Sequence, residues 1–201
     1  MMYSAEQKNQ KELLTDLFAS RARAAIVRLF MLDPGRAYYQ RQIEAVTGLA
    51  IRAVQRELDR LAGMALLYRR QEGNRTYYQP DRDFPLFAEL RAMVLKTGSS
   101  ADRLRAALAV DESVRQAFLN ERLGQALAVT APGRRSKATE VEPYTVQTMS
   151  SNEFVKTLKS QPDTLAPFLR DGVDLLGRRD DVIWRHIATA GFNVHKGKGV
   201  A

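Results

Sequence analysis

Residues 40–79 read QRQIEAVTGLAIRAVQRELDRLAGMALLYRRQEGNRTYYQ, and the order of signals in this stretch decides the fold. A short helix is predicted from about Arg41 to Val46, stopped by Thr47-Gly48. After a tight turn, a longer helix runs from about Ala50 to Ala62, with Val54, Leu58 and Leu61 spaced by four and three residues as one buried stripe. Gly63 is expected to end it by tolerating a positive φ. Two strands then follow, Leu66 to Gln71 and Arg75 to Gln79, around the turn signal Glu72-Gly73-Asn74. Pro80 closes the ladder because it brings no N–H to it.

A helix that buries one stripe must offer its opposite side to something else. On the long helix the outward positions are Arg52, Gln55 and Arg56, with Asp59 further along. Arginine forks onto guanine O6/N7 and glutamine pairs with adenine N6/N7, so these residue types suit a helix laid in the major groove of DNA. The hairpin adds Arg69 and Arg70 in one strand and Asn74 and Arg75 at its tip, cations placed for a flanking phosphate or minor groove. Arg69 and Arg70 adjoin in a strand and therefore point to opposite faces. Arg41, at the start of the short helix, is placed for phosphate. The competing reading takes Arg56, Glu57, Asp59 and Arg60 as a solvated, salt-bridged face. Tyr77 and Tyr78 read as hairpin packing residues, and Arg21 and Arg23 as surface charges.

Working outward, residues 5–18 read as a polar helix, and Ser20 as the cap of a second helix carrying Ala24, Ile26, Val27, Leu29, Phe30 and Met31 inward. Asp33-Pro34-Gly35 stops that helix. Beyond the hairpin, a helix from about Pro85 to Lys96 carries an apolar stripe of Leu86, Leu90, Met93 and Val94, suited to docking on the domain or on a second copy. Thr97-Gly98-Ser99-Ser100 is the expected linker. Helices near 101–110 and 112–119 follow, then a strand at Gln125–Thr130, a flexible basic loop over 131–139 and a strand at Tyr144–Met149. Ser150 and Glu153 have capping-box spacing for the next helix. A short helix near 164–170, a strand over Val173–Leu176, a helix over Asp180–Ala190 and a flexible tail complete the second half.

Composition narrows the classes. The net charge of +8 and the prevalence of arginine among the cations of residues 1–97 suit a polyanionic partner. Cysteine is absent, which removes disulfides and thiolate metal sites and fits a reducing cytoplasm. The start, MMYSAEQKNQKELL, is polar with both charge signs and does not read as a secretory signal, and no apolar run approaches a membrane span. The two histidines, His186 and His195, make a poor metal set, and Asp180-Asp181 reads as a helix start. No P-loop, dinucleotide fingerprint or serine elbow occurs.

The pieces TGLAIRAVQRELDRL, LLYRRQEGNRTYY and DFPLFAEL, within about residues 17–97, resemble a winged helix-turn-helix of the ArsR/MarR-like superfamily. More narrowly they are similar to a prokaryotic group in which that domain precedes a small nucleotidyltransferase-like domain. The resemblance implies that Arg52, Gln55 and Arg56 lie on the recognition helix, that Arg70, Asn74 and Arg75 belong to the wing, and that the protein is a homodimer. Ala50 departs from the pattern, standing where Ser or Thr usually caps the recognition helix. The segment YTVQTMSSNEFVKTLKSQ…LRDGVDLLG resembles the later part of the nucleotidyltransferase-like partner. Such enzymes need a Gly-Ser turn and an Asp-x-Asp metal clamp, and AFLNERLGQALAVTAPGRR contains neither.

The expectation is therefore an α+β chain: a winged helix-turn-helix over 1–97, a small α/β domain resembling a degenerate nucleotidyltransferase over 98–191, for dimerisation or sensing, and a flexible tail over 192–201. It is expected to be a cytoplasmic, sequence-specific transcriptional regulator binding double-stranded DNA as a homodimer. No cofactor, metal, membrane or catalytic residue is expected, and room is left for a small-molecule effector of unspecified identity. The alternatives are an antitoxin-like interaction module and a divergent nucleotidyltransferase.

Overall fold

The computed structural model describes residues 13–138, 140–178, 180–197 and 200, an α+β chain with two sheets. It divides into two units, one running through Ala106 and the other Ala107–Val200.

In the first unit, residues 13–18 of the helix expected over 5–18 form α1, and the earlier part lies outside the described residues; α2 (Arg21–Leu32) follows. Ser20 caps α2 by accepting the Arg23 N–H, and Ile26, Val27, Phe30 and Met31 fill the core. A two-residue strand, β1 (Tyr38–Tyr39), leads directly into α3 (Gln40–Thr47), then α4 (Ile51–Gly63) and the hairpin β2 (Leu67–Glu72) and β3 (Arg75–Pro80). The sheet order is β1-β3-β2. Helix α5 (Phe87–Thr97) packs on α2, and α6 (Ser100–Ala109) closes the unit with its first turns. Most of the α5 stripe is consumed internally: Val94 is buried, Leu90 and Met93 pack on the core, and Leu86 alone of the four stays exposed.

The expected linker at Thr97–Ser100 is instead a helix cap. Ser99 and Asp102 exchange the capping-box bonds (Ser99 N–H to Oδ2 2.8 Å, Asp102 N–H to Oγ 3.2 Å). A Cβ on Gly98 would lie 3.0 Å from the Val94 carbonyl. The same Asp102 pairs with Arg28 of α2, so the unit boundary falls later, inside α6.

The end of α4 also differs from expectation. Gly63 stays helical, and the left-handed residue is Ala65, at φ 62°. Two bonds close the turn, Leu66 N–H to the Leu61 carbonyl and Ala65 N–H to the Ala62 carbonyl, both 3.0 Å. An L side chain in this conformation costs roughly 1–2 kcal/mol, and glycine recovers that less its own greater unfolded entropy. Ala65→Gly is therefore expected to stabilise the unit by about 0.5–1 kcal/mol, seen as a rise in thermal midpoint.

The second unit is a six-stranded sheet, order β6-β7-β5-β4-β8-β9, with its helices contributing to one apolar cluster. The strands are β4 (Val114–Asn120), β5 (Gln125–Thr130), β6 (Glu140–Val141), β7 (Tyr144–Ser150), β8 (Val173–Asp174) and β9 (His195–Lys196). The β5/β7 and β8/β9 pairs are parallel, the rest antiparallel. Helix α7 (Ser151–Ser160), a 3₁₀ turn (Pro162–Leu165), α8 (Ala166–Leu169) and α9 (Asp181–Thr189) contribute Phe154, Leu158, Leu165, Phe168, Ile183 and Ile187 to that cluster against Phe118, Leu127 and Val129.

Two expectations fail here. The helix expected over 112–119 is strand β4, buried at every position but Arg115. A strand covered on both faces loses its alternation, so VRQAFLN carries no period to separate it from a helix. The tail expected to be flexible from 192 places Phe192 in the core and pairs His195 and Lys196 with β8, with Val200 also buried. No helix among the described residues is long and apolar enough to cross a membrane.

Candidate nucleic-acid interface

Gly48, at φ 67°, makes the turn between α3 and α4 and donates its N–H to the Glu44 carbonyl at 2.8 Å. Ala50 opens α4 without any side-chain cap; its carbonyl accepts from Ala53 and Val54. Helix α4 buries Val54, Glu57, Leu58 and Leu61 and exposes Arg52, Gln55, Arg56, Asp59 and Arg60. Among the described residues, Arg41, Arg52 and Arg56 have no carboxylate within ion-pair distance. The rotation of the helix is held from its inner side. Glu57 accepts from Arg23 Nε at 3.0 Å and from the Ser20 hydroxyl at 3.3 Å, and Arg23 also donates to the Phe18 carbonyl. Arg23 is thus a half-buried partner of α4 rather than the surface charge expected from sequence, and Glu57 leaves the solvated face proposed for it.

In the hairpin, Gly73 takes the first turn position at φ 55°, and Asn74 sits exposed beside it. The register pairs Arg70 with Tyr77, Glu72 with Arg75 and Tyr39 with Tyr77. Directly paired residues share a face, so Arg70, Arg75, Tyr77 and Tyr39 lie on one side of the sheet, and Arg69, opposite Tyr78, lies on the other. Arg70 pairs with Glu72 at 2.7 Å, both well exposed. The Arg75 guanidinium stands 4.8 Å from the centre of the Tyr39 ring, which meets the Tyr77 ring edge-on at 5.7 Å. A hydrogen bond with the Tyr77 side chain, and then the nearby Tyr39, push the Arg75 pKa further up.

Strand β1 joins helix to hairpin. Tyr39 is followed by Gln40, whose Oε1 accepts from Gln55 Nε2 at 3.3 Å. A string of contacts therefore runs from exposed Gln55 through partly buried Gln40 and Tyr39 to exposed Arg75. Of the seven residues singled out from sequence, Gln55 and Arg75 are joined by this string and Arg52 and Arg56 share the α4 surface with Gln55. Arg70 shares the face of Arg75, Asn74 is at the tip, and Arg41 is exposed on the first turn of α3. Sequence reasoning missed Tyr39 and Gln40. The only signal was an aromatic pair at a helix start, and its meaning depends on pairing with β3.

In the second unit the basic loop over 131–138 is pinned rather than free. The Asp111 carboxylate accepts from the Ser113 hydroxyl (2.6 Å) and N–H (2.9 Å), the Ser136 hydroxyl (2.9 Å) and the Lys137 N–H (2.9 Å). Burial pushes this carboxyl up, and the hydrogen bonds outweigh it, holding it down to about 2 from 3.8. A depressed native value means the unfolded state binds the proton more readily. The anchoring is complete above the unfolded pKa near 4 and fades as pH falls through about 2. The Lys137 and Ser113 amide proton shifts should titrate together in this window, and Asp111→Asn should abolish that step.

The α7 N-terminus is filled by its own Glu153, which bonds the Ser150 N–H at 2.9 Å and the Ser150 hydroxyl at 2.6 Å. Those bonds lower the Glu153 pKa. Among the described residues no group of three or more acidic or histidine side chains could hold a metal ion. Comparison of the chain with family models, with curated proteins and with solved structures gives no match.

Proposed function

We propose that the chain is a sequence-specific, double-stranded DNA-binding transcriptional regulator. Its first unit is a winged helix-turn-helix, with α4 as recognition helix and β2–β3 as the wing. The observation that carries this reading is the outer face of α4: Arg52, Gln55 and Arg56 exposed, the arginines unpaired with carboxylate, and Gln55 linked by contacts through Gln40 and Tyr39 to a hairpin presenting Arg70 and Arg75. Arginine phosphate contacts supply affinity and salt dependence, and α4 reads base edges. The protein acts as a homodimer on a palindromic site with half-sites about 34 Å apart. The second unit serves dimerisation or ligand sensing, a nucleotidyltransferase-like domain without the Gly-Ser turn and paired carboxylates that catalysis needs.

Fluorescence anisotropy against the DNA upstream of the gene and against a scrambled duplex, at two salt concentrations, tests this. Wild type is expected to prefer the native duplex and to weaken steeply with salt. Arg56→Ala is expected to lose about tenfold in affinity for the native duplex, with the preference reduced. Equal, feeble binding to both duplexes would reject the regulator.

A further inference from the structure

Gln55 differs from Arg52 and Arg56 in having its head group held by a neighbour, the Gln40 Oε1 that accepts from its Nε2 at 3.3 Å. A primary amide has two N–H donors on nitrogen and one acceptor oxygen. With one N–H engaged by Gln40, Gln55 keeps a single outward N–H beside its own Oε1. Adenine offers the matching pattern in the major groove, the N7 acceptor next to the N6 donor. Guanine offers two acceptors, O6 and N7, and meeting both would require the N–H already given to Gln40.

The backbone that carries Gln40 is fixed on both sides. Gln40 is the first residue of α3 and follows Tyr39, whose backbone pairs with Tyr77 in the sheet. The Tyr39 N–H is taken by Gln42 Oε1 at 3.1 Å, which ties the strand end to the first turn of the helix.

We propose that Gln40 is a positioning residue for base selection, fixing the Gln55 amide so that it reads adenine and refuses guanine. This rests on α4 being the recognition helix. Gln40 acts through Gln55 and needs no contact of its own with a base.

The test starts with selection from a randomised duplex pool by wild type and by Gln55→Ala, which locates the position that Gln55 reads. Duplexes carrying adenine, guanine or 7-deazaadenine there are then titrated with wild type, Gln40→Leu and Gln40→Glu. Wild type is expected to prefer adenine over guanine by on the order of tenfold, and to lose a similar factor when N7 is removed. Gln40→Leu should narrow the adenine preference to about threefold or less, with an unchanged thermal midpoint. Gln40→Glu, whose carboxylate accepts the same N–H, should restore the ratio while its added negative charge lowers affinity for every duplex.

A Gln40→Leu protein that keeps the wild-type ratio overturns the proposal, as does a Gln40→Glu protein that fails to restore it. So does a Gln55→Ala protein that keeps every base preference. A wild type that selects no sequence at all removes the reading of α4 itself, a result distinct from failure of Gln40 alone.

Discussion

Replacing Glu57 with alanine is expected to destabilise the first unit by roughly 3 kcal/mol, although Glu57 faces away from the proposed DNA surface. Its carboxylate is almost wholly enclosed, and it is what Arg23 Nε and the Ser20 hydroxyl bond to. Removing it leaves a half-buried guanidinium without its anion and a cap residue without one of its partners. Breaking a buried pair costs more than the pair contributes, because the orphaned charge stays desolvated. Glu57→Gln keeps an oxygen for both donors and should cost about half as much. A urea melt followed by circular dichroism should shift to lower denaturant with its slope unchanged. A shift equivalent to less than about 1 kcal/mol would mean that solvent already satisfies Arg23. Because the same contact sets the rotation of α4 on α2, DNA affinity should fall along with stability.

In the second unit the largest expected effect is at Phe118, which is fully buried in β4. Its ring stacks on Phe154 at 6.0 Å and meets Trp184 edge-on at 6.2 Å, so strand β4, α7 and α9 converge on one side chain. Phe118→Ala is expected to cost about 3–5 kcal/mol, combining lost transfer energy with a cavity that aromatic neighbours cannot collapse into. Phe118→Leu retains most of the volume and should cost about 1–1.5 kcal/mol. Trp184 is the chain's single tryptophan, so its fluorescence reports this unit directly. An unchanged midpoint for Phe118→Ala would show that this core is packed loosely around the ring.

What was legible in the sequence follows the range of the interactions. The α3–α4 pair and the hairpin could be read because Val54, Leu58 and Leu61 carry a helical period and Gly48 and Gly73 sit where backbone geometry needs them. The Ser150–Glu153 box was visible for the same reason, since its whole chemistry spans one turn. Elements defined by distant partners were not. Two residues cannot declare themselves a strand, and β1 exists only because Tyr38 and Tyr39 pair with Tyr78 and Tyr77. Glu57 read as a solvated charge because its partner, Arg23, lies 34 residues away. Ala65 was invisible because a glycine two positions earlier offered a more conventional stop. At the candidate site, the arginines and Gln55 could be named from residue type and helix phase, whereas Tyr39 and Gln40 required the sheet register.

The strand order of the larger sheet bears on how the protein behaves when crowded. Among the described residues its two outermost strands, β6 and β9, are each two residues long. Neither offers a row of free N–H and carbonyl groups long enough to template a strand from another molecule, and β9 ends on Lys196. The six-residue ladder of β4 with β5 is interior, whereas β6 covers only Tyr144 and Thr145 of β7, so from Val146 onward the outer edge of that strand has no strand beside it among the described residues. In the smaller sheet the long outer strand is β2, and it carries Arg69 and Arg70 side by side. Like copies approaching along that edge would bring arginine against arginine, so the cations proposed to meet a polyanion also discourage strands of two chains from pairing there.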